Sequence, residues 1–437
     1  MSSVAKPRHS VRDLARVAIP SLLGILVFFV PVTLGGKNTI LLDHAVLWCE
    51  KLLGDGGKWY ALALIAAGAA YPVRRKFWRD GLGSIVFTAF KFIGLILALM
   101  VIFRLGPEAL YQPYMLEFLW KALVIPVAIL VPVGAVFMPL LVNYGLVELV
   151  GILVQPMMRR TFRIPGRSAI DAVASFVTSF AVGLLITDRA YLSGEYSARE
   201  AAIIATGFST VSVAFMVIVA RTLGLMDIWL IFFLATLLTT VVVTAISARL
   251  PPIAGMDNHA RNPEPSPEKG NRIATAVAEA IGVATTPKDF LALVRDNLKD
   301  GLLMTMTILP TILSIGTLSL LIEKYTPVFD WIGYLFYPIT LLFGMEEGLA
   351  LASAVSTSYS EMFLPALIMA KGGLVAKIVA GIVAISSILF VSASIPCIMA
   401  TRIPLNFWQL TLIWAVRTAL SLLVAIPLAY GIAAYMG

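Results

Sequence analysis

SAIDAVASFVTSFAVGLLITDRAYLSGEYSAREAAIIATGFSTVSVAFMVIVARTLG, residues 168–224, decides how the rest of the chain reads. Two apolar segments flank a charged stretch, Asp188-Arg189-Ala190-Tyr191-Leu192-Ser193-Gly194-Glu195, which the sequence marks as the tip of a helical hairpin. A stripe of small polar residues runs inside this membrane-grade sequence. Asp171, Ser175 and Thr178 fall at i, i+4 and i+7, one face of a helix. The returning segment clusters Thr206, Gly207, Ser209, Thr210 and Ser212. A carboxylate and a row of hydroxyls are costly in lipid unless they face protein or water.

The stripe occurs twice. Asp171, Ser175 and Thr178 become Ser353, Thr357 and Ser360, each 182 positions later, and Thr210 and Ser212 become Ser392 and Ser394. The same ungapped shift takes Glu148, Gly151, Pro156 and Gly166 to Asp330, Gly333, Pro338 and Gly348. Conservation of proline, glycine, acid and hydroxyl under one shift indicates an internal duplication, as in many secondary transporters.

Outward from this core, the chain has 437 residues, 59% hydrophobic and 13% charged. Soluble domains carry about 25% charged residues, so an all-α polytopic membrane protein is expected. Long apolar spans exclude a β-barrel of short alternating strands. The net charge of +8 is distributed over short loops beside apolar spans, which indicates orientation and no nucleic-acid partner. Basic residues at the N-terminus and at Arg74, Arg75, Lys76 and Arg79 place both on the cytoplasmic side of a bacterial inner membrane. Val11, Leu14, Ala15 and Ala18 suit a short interfacial helix before a first span, Ile19–Leu34. Lys91, inside the third span, is expected to snorkel.

The expected division is an N-terminal helical scaffold over 1–118, a first repeat over 119–247, a polar linker over 248–300 and a second repeat over 301–437. The linker, containing PPIAGMDNHARNPEPSPEKG, is expected to be loosely held, with a surface helix at Phe290–Leu298. The second repeat holds Leu302–Ile322, Val328–Phe343, a hairpin from Gly348 to Ala400 with its tip at Lys371-Gly372-Gly373, and a last span, Leu405–Tyr430. Acids and bases balance across the linker, so the charge rule leaves the repeat orientation open.

The candidate solute site takes Asp171, Ser175, Thr178, Thr187, Asp188, Thr206, Ser209, Thr210 and Ser212 from the first half. Thr357, Ser360, Glu361, Ser392 and Ser394 come from the second. Asp171 and Glu361 are the candidates to carry a coupling H+ or Na+. Two plainer roles compete: the hydroxyls let helices pack closely, and Asp171, just after Arg167, serves as a helix-start acid. Glu346-Glu347 is expected to cap the helix starting at Gly348. Gly54-Asp55-Gly56-Gly57-Lys58 lacks P-loop spacing, and no HExxH or GxSxG motif occurs, so no enzyme and no cofactor are expected. Cys49 and Cys397 form no metal-ligand spacing.

Thr187-Asp188-Arg189-Ala190-Tyr191, Arg199-Glu200-Ala201 and Ala205-Thr206-Gly207-Phe208-Ser209-Thr210-Val211-Ser212 resemble the YjiH-type membrane proteins that carry a nucleoside-recognition, or Gate, domain. Ser394-Ile395-Pro396-Cys397-Ile398-Met399-Ala400-Thr401-Arg402 resembles the Gate stretch of ferrous iron transporters, although those place a Cys where this chain has Ser394. The resemblance implies kinship with concentrative nucleoside transporters and two Gate repeats of inverted topology. The function expected is a secondary transporter of a small polar organic solute (amino acid, dipeptide or nucleoside-like), working by alternating access in the lipid bilayer. Its expected assembly is a homo-oligomer or a pairing with a second Gate subunit. Divalent-metal permeation and a non-transporting assembly module are the alternatives.

Overall fold

The computed structural model describes residues 10–75, 82–112, 115–177, 180–262, 272–286 and 289–436. Nearly everything described is helix; the only strands among these residues, Pro31–Leu34 and Lys37–Ile40, pair antiparallel around Gly35 and Gly36. Both glycines have positive φ, which suits the tight reversal. Among the described residues five helices are long and apolar enough to cross a membrane: Ile85–Phe103, Ile125–Val142, Met226–Ser247, Phe290–Tyr325 and Phe407–Met436. The chain is a multi-pass membrane protein.

Ser10 and Asp13 form a capping box that starts helix Val11–Phe29. The interfacial helix and first span expected separately are therefore one element. Pro20 removes one amide donor, but the helix continues through it. Helices Gly57–Arg75, Leu82–Phe103, Ile125–Val142 and Phe290–Tyr325 pack together as a scaffold. Glycines set their separation: a Cβ on Gly68 would lie 2.7 Å from the Met306 carbonyl carbon, and one on Gly94 2.8 Å from Pro310 Cα. Lys91 is buried within protein, at 9% exposure, and does not turn out to the lipid.

Phe290–Tyr325 is a single helix of 36 residues, about 54 Å long at 1.5 Å per residue. The surface helix and span expected at 290–298 and 302–322 are one rod, started by Asp289, whose carboxylate accepts the Leu291 amide. The linker is also better ordered than its composition suggests. Arg272–Thr285 docks on Leu146–Met157 and Val11–Phe29, with Val17, Ala280 and Ile281 forming a small core. Backbone bonds from Arg199 to Asp257 and from Asn262 to Gly194 tie down the preceding stretch. Part of the Pro-rich linker, 263–271, lies outside the described residues.

The two halves present the same order of elements. In the first, Leu146–Met157 is followed by Ser168–Val177 and Phe180–Leu192, then Ala198–Gly207 and Val213–Leu223, then Trp229–Ser247. In the second, Val328–Leu342 is followed by Gly348–Ser356 and Leu364–Ile368, then Leu374–Ser386 and Ser394–Met399, then Phe407–Met436. Corresponding glycines pack on the same following helix, one residue out of register. A Cβ on Gly151 would lie 3.2 Å from Ile170 Cα, and one on Gly333 2.9 Å from Ser353 Cα.

Each half also holds a chain reversal that the charged stretches do not mark. Arms Ser168–Val177 and Phe180–Leu192 run back along each other, so closely that a Cβ on Gly183 would touch Ser175 at 2.6 Å. The charged stretch 188–195 closes the arm Phe180–Leu192 and turns toward Ala198–Gly207, which packs against that arm, and Lys371-Gly372-Gly373 turns in the same way between Leu364–Ile368 and Leu374–Ser386. The first hairpin's arms, of 10 and 13 residues, reach about 15–20 Å, roughly half a bilayer core, and the second hairpin's arms, Gly348–Ser356 and Leu364–Ile368, are shorter still, so no arm is long enough to span it. Glu347 does not cap the Gly348 helix either; both its oxygens accept the Gly373 amide at 3.2 Å, closing the hairpin's base.

Candidate functional site

Each hairpin is followed by a helix that breaks in mid-course. Ala198–Gly207 starts with a Ser197–Glu200 capping box and stops at Phe208; Val213–Leu223 resumes after Ser209-Thr210-Val211-Ser212. Leu374–Ser386 stops at Ser387 and resumes at Ser394, with Ile388 at φ +63° between them. That conformation is strained for a β-branched residue. Both breaks are buried, so their freed backbone groups require partners within the protein.

In the second half those partners come from the hairpin turn. The Val391 amide donates to the Tyr359 carbonyl at 2.7 Å, and the Ser392 amide to the Ser360 carbonyl at 3.0 Å. Beside this short pairing, the Ser392 hydroxyl donates to the Glu361 carboxylate. Glu361 is 2% exposed and also accepts the Phe363 amide. No cationic side chain forms an ion pair with it among the described residues. The turn is anchored laterally: the Tyr359 hydroxyl meets Thr411 Oγ1 at 2.6 Å, and Trp414 Nε1 donates to Ser358 Oγ at 3.1 Å. Phe363 meets Phe215 edge-on at 6.3 Å, which brings the Glu361 turn against the resumed helix of the first half.

Several candidate hydroxyls spend their proton on local carbonyls. Thr187 donates to Gly183, Thr206 to Ala202, Ser209 to Ile204, Thr357 to Ala354 and Ser360 to Thr357. Thr210 donates to the Val211 carbonyl inside the break, and Ser212 is buried beside it. Each still has acceptor capacity. Ser394 Oγ accepts the Phe390 amide at 2.8 Å and so satisfies one donor inside the break. Ser175 is buried against Gly183 with no hydrogen-bond partner. Thr178 lies outside the described residues.

Asp171 and Asp188 occupy a different level. Asp171 is half-buried and accepts the Tyr196 hydroxyl at 2.5 Å, while Arg167 lies over the Tyr196 ring and pairs with Glu195. Asp188 accepts the Arg402 amide at 2.7 Å, linking the first hairpin to the loop after the second broken helix. Both stand near the hairpin base, away from its turn.

The sequence reading did not single out Arg417. It is completely buried, donating to Thr244 Oγ1 at 3.1 Å, to Ser247 Oγ at 3.4 Å and to the Ser386 carbonyl at 2.8 Å. A lone Arg deep in the apolar span 405–430 was the available signal, because it is too far from either end to snorkel. Among the described residues no group of three His, Cys, Asp or Glu side chains gathers to hold a metal.

Residues 124–226 match the Gate family, described as nucleoside recognition. The chain is 29% identical to an uncharacterized protein of Alkalihalophilus pseudofirmus, covering 94% of this chain and 93% of that one. Its fold is similar to that of a point variant of CNTnw in an intermediate state, with a TM-score of 0.50, 11% identity and coverage of 96% and 97%. CNTnw in an inward-facing, substrate-bound state gives a TM-score of 0.49 at 11% identity, covering 96% of each chain. The Gate resemblance read from the sequence agrees with the family match, and the all-helical fold with the intermediate-state structure.

Proposed function

We propose that this chain is a secondary transporter of a small polar organic solute, nucleoside-like compounds being the first class to test. The observation that carries the reading is the meeting of two discontinuous helices and a re-entrant turn around Glu361, Ser392 and the Ser209–Ser212 break. Such breaks are tolerated in membranes where they line a solute path, and they present both carbonyls and amides to a polar ligand. The Gate match and the fold similarity support the same reading.

Contacts between loops support an inverted arrangement. Asp188 with Arg402, Arg199 with Ala248 and Asn262 with Ser193 gather one set of loops. Glu50 with Arg221 and Glu347 with Gly373 belong to the other. Arg159, Arg160, Arg163 and Arg167 mark the first set as cytoplasmic. On this reading the first hairpin enters from the cytoplasm and the second from outside, and the N-terminus is cytoplasmic.

Coupling is assigned to Glu361. A buried carboxylate surrounded only by neutral donors lacks a counter-charge, and a proton or a Na+ supplies it. The Ser392 hydroxyl reports that charge to the backbone of the break. The test is solute-dependent thermal stabilisation of the purified chain by nucleosides, amino acids and dipeptides, followed by uptake into proteoliposomes under imposed H+ and Na+ gradients. Saturable stabilisation by one class with gradient-driven uptake is expected. No stabilisation by any class and no uptake above empty vesicles would sink the reading.

A further inference from the structure

The ends of the two interrupted helices lie on either side of Arg417. Ala198–Gly207 ends at the Gly207 carbonyl, which accepts the Thr244 hydroxyl at 3.0 Å; Leu374–Ser386 ends at the Ser386 carbonyl. Arg417 donates directly to the second and, through Thr244 Oγ1, reaches the first. Helix C-termini carry unsatisfied carbonyls and the negative end of the macrodipole, and in transporters such ends commonly hold a cation. No carboxylate pairs with Arg417 among the described residues, and its Nε has no acceptor. Its charge is therefore balanced by backbone dipoles and hydroxyls alone. Around it, Ser386 Oγ donates to Ser421 Oγ at 2.8 Å and Ser247 Oγ to the Thr244 carbonyl at 3.2 Å.

We propose that Arg417 is a built-in cation occupying the place between the paired C-terminal ends at Gly207 and Ser386 that a bound Na+ would otherwise fill. It rests on the transporter reading for its importance but is measured without solute. A planar guanidinium suits this position because its two terminal nitrogens serve different acceptors, Nη1 the Thr244 and Ser247 hydroxyls and Nη2 the Ser386 carbonyl. Helices Trp229–Ser247 and Phe407–Met436, from different halves of the chain, are joined through the same side chain. Coupling to a free ion is then left to Glu361.

The full-length chain, purified in nanodiscs, is melted in Na+, K+, Li+ and choline at fixed ionic strength. Arg417→Ala is expected to lower Tm and to gain saturable stabilisation from millimolar methylguanidinium, matched against choline, that the wild type lacks. An Arg417→Ala variant that melts like the wild type, or that ignores methylguanidinium, overturns the proposal. So does a Na+-specific rise in wild-type Tm that Thr244→Val abolishes. Should Arg417→Ala fail to accumulate, Arg417→Lys is expected to melt above Arg417→Gln, because charge matters more than side-chain length; the reverse order overturns it. Solute-induced shifts in the wild type report separately on transport, so the two readings fail independently.

Discussion

The Ser392 hydroxyl donates to the Glu361 carboxylate, joining the break of the second discontinuous helix to the turn of the hairpin before it. The contact ties the one buried acid at the turn to the strained backbone around Ile388. Glu361→Gln keeps the shape and removes the charge. It is expected to abolish the response of uptake to the coupling gradient while leaving Tm within a few degrees. Ser392→Ala removes a donor from a buried carboxylate and should destabilise by about 1–3 kcal/mol. Uptake in proteoliposomes at two values of the imposed gradient checks the first, and denaturant or thermal unfolding the second. Gradient-sensitive uptake by Glu361→Gln would move coupling elsewhere.

A second relationship joins the N-terminal helices to the first discontinuous helix. Arg221, on Val213–Leu223, forms a fork with Glu50 at 2.9 and 2.6 Å and lies 3.6 Å from Asp43. Asp43 is fully buried with neither oxygen hydrogen-bonded, and its other neighbour of opposite charge is Lys37 at 3.7 Å. Beside this cluster a cavity of about 470 Å³ is lined by Glu50, Lys121, Ile125, Pro126, Ile218 and Arg221. Arg221→Ala strands a buried charge and should cost about 3 kcal/mol. Adding Asp43→Asn should recover much of that loss, and a double-mutant cycle on thermal unfolding measures the coupling. Additive effects would show that Asp43 and Arg221 do not share the charge.

The duplication was legible because prolines, glycines and hydroxyls kept their places under one shift, and Leu146 and Val328 start matching helices 182 residues apart. The re-entrant reversals were not. Charge marked 188–195 and 371–373, where the chain also turns, but in the re-entrant turn Ser358 to Phe363 only Glu361 stands apart from ordinary span. The join at Phe290–Tyr325 was hidden for a related reason: Arg295, Asp296, Lys299 and Asp300 look like the end of a surface helix, and a helix leaving the bilayer can carry them. The place of Arg417 becomes legible only with the fold, because the helix breaks create the demand for positive charge at their carbonyl ends and are themselves not marked in the sequence.

Close packing in the scaffold gives a prediction independent of transport. Gly94→Ala would place its Cβ within 2.8 Å of Pro310 backbone atoms, which cannot rotate away. The two helices must separate, and a cost of about 1–3 kcal/mol is expected with reduced folded yield. Gly282→Ala, in helix Arg272–Thr285 with open space around it, should instead be neutral or stabilise by up to about 1 kcal/mol. Fluorescence-detected size exclusion of the two variants after graded heating compares them directly. Equal behaviour would mean the scaffold helices are looser than their geometry.

Asp171 provides the sharpest separation between holding a hairpin and carrying an ion. Its carboxylate accepts the Tyr196 hydroxyl at 2.5 Å near the start of Ser168–Val177, with Arg167 over the same ring. Tyr196→Phe leaves Asp171 without that donor and should lower stability by about 1–2 kcal/mol. If the pair only fixes the hairpin base, Asp171→Asn keeps the hydrogen bond, and uptake should stay within about threefold of wild type, under 1 kcal/mol by the usual conversion. Uptake should also keep its gradient dependence. Loss of gradient dependence in Asp171→Asn, with Glu361→Gln unaffected, would transfer the coupling role from the turn of the second hairpin to the base of the first.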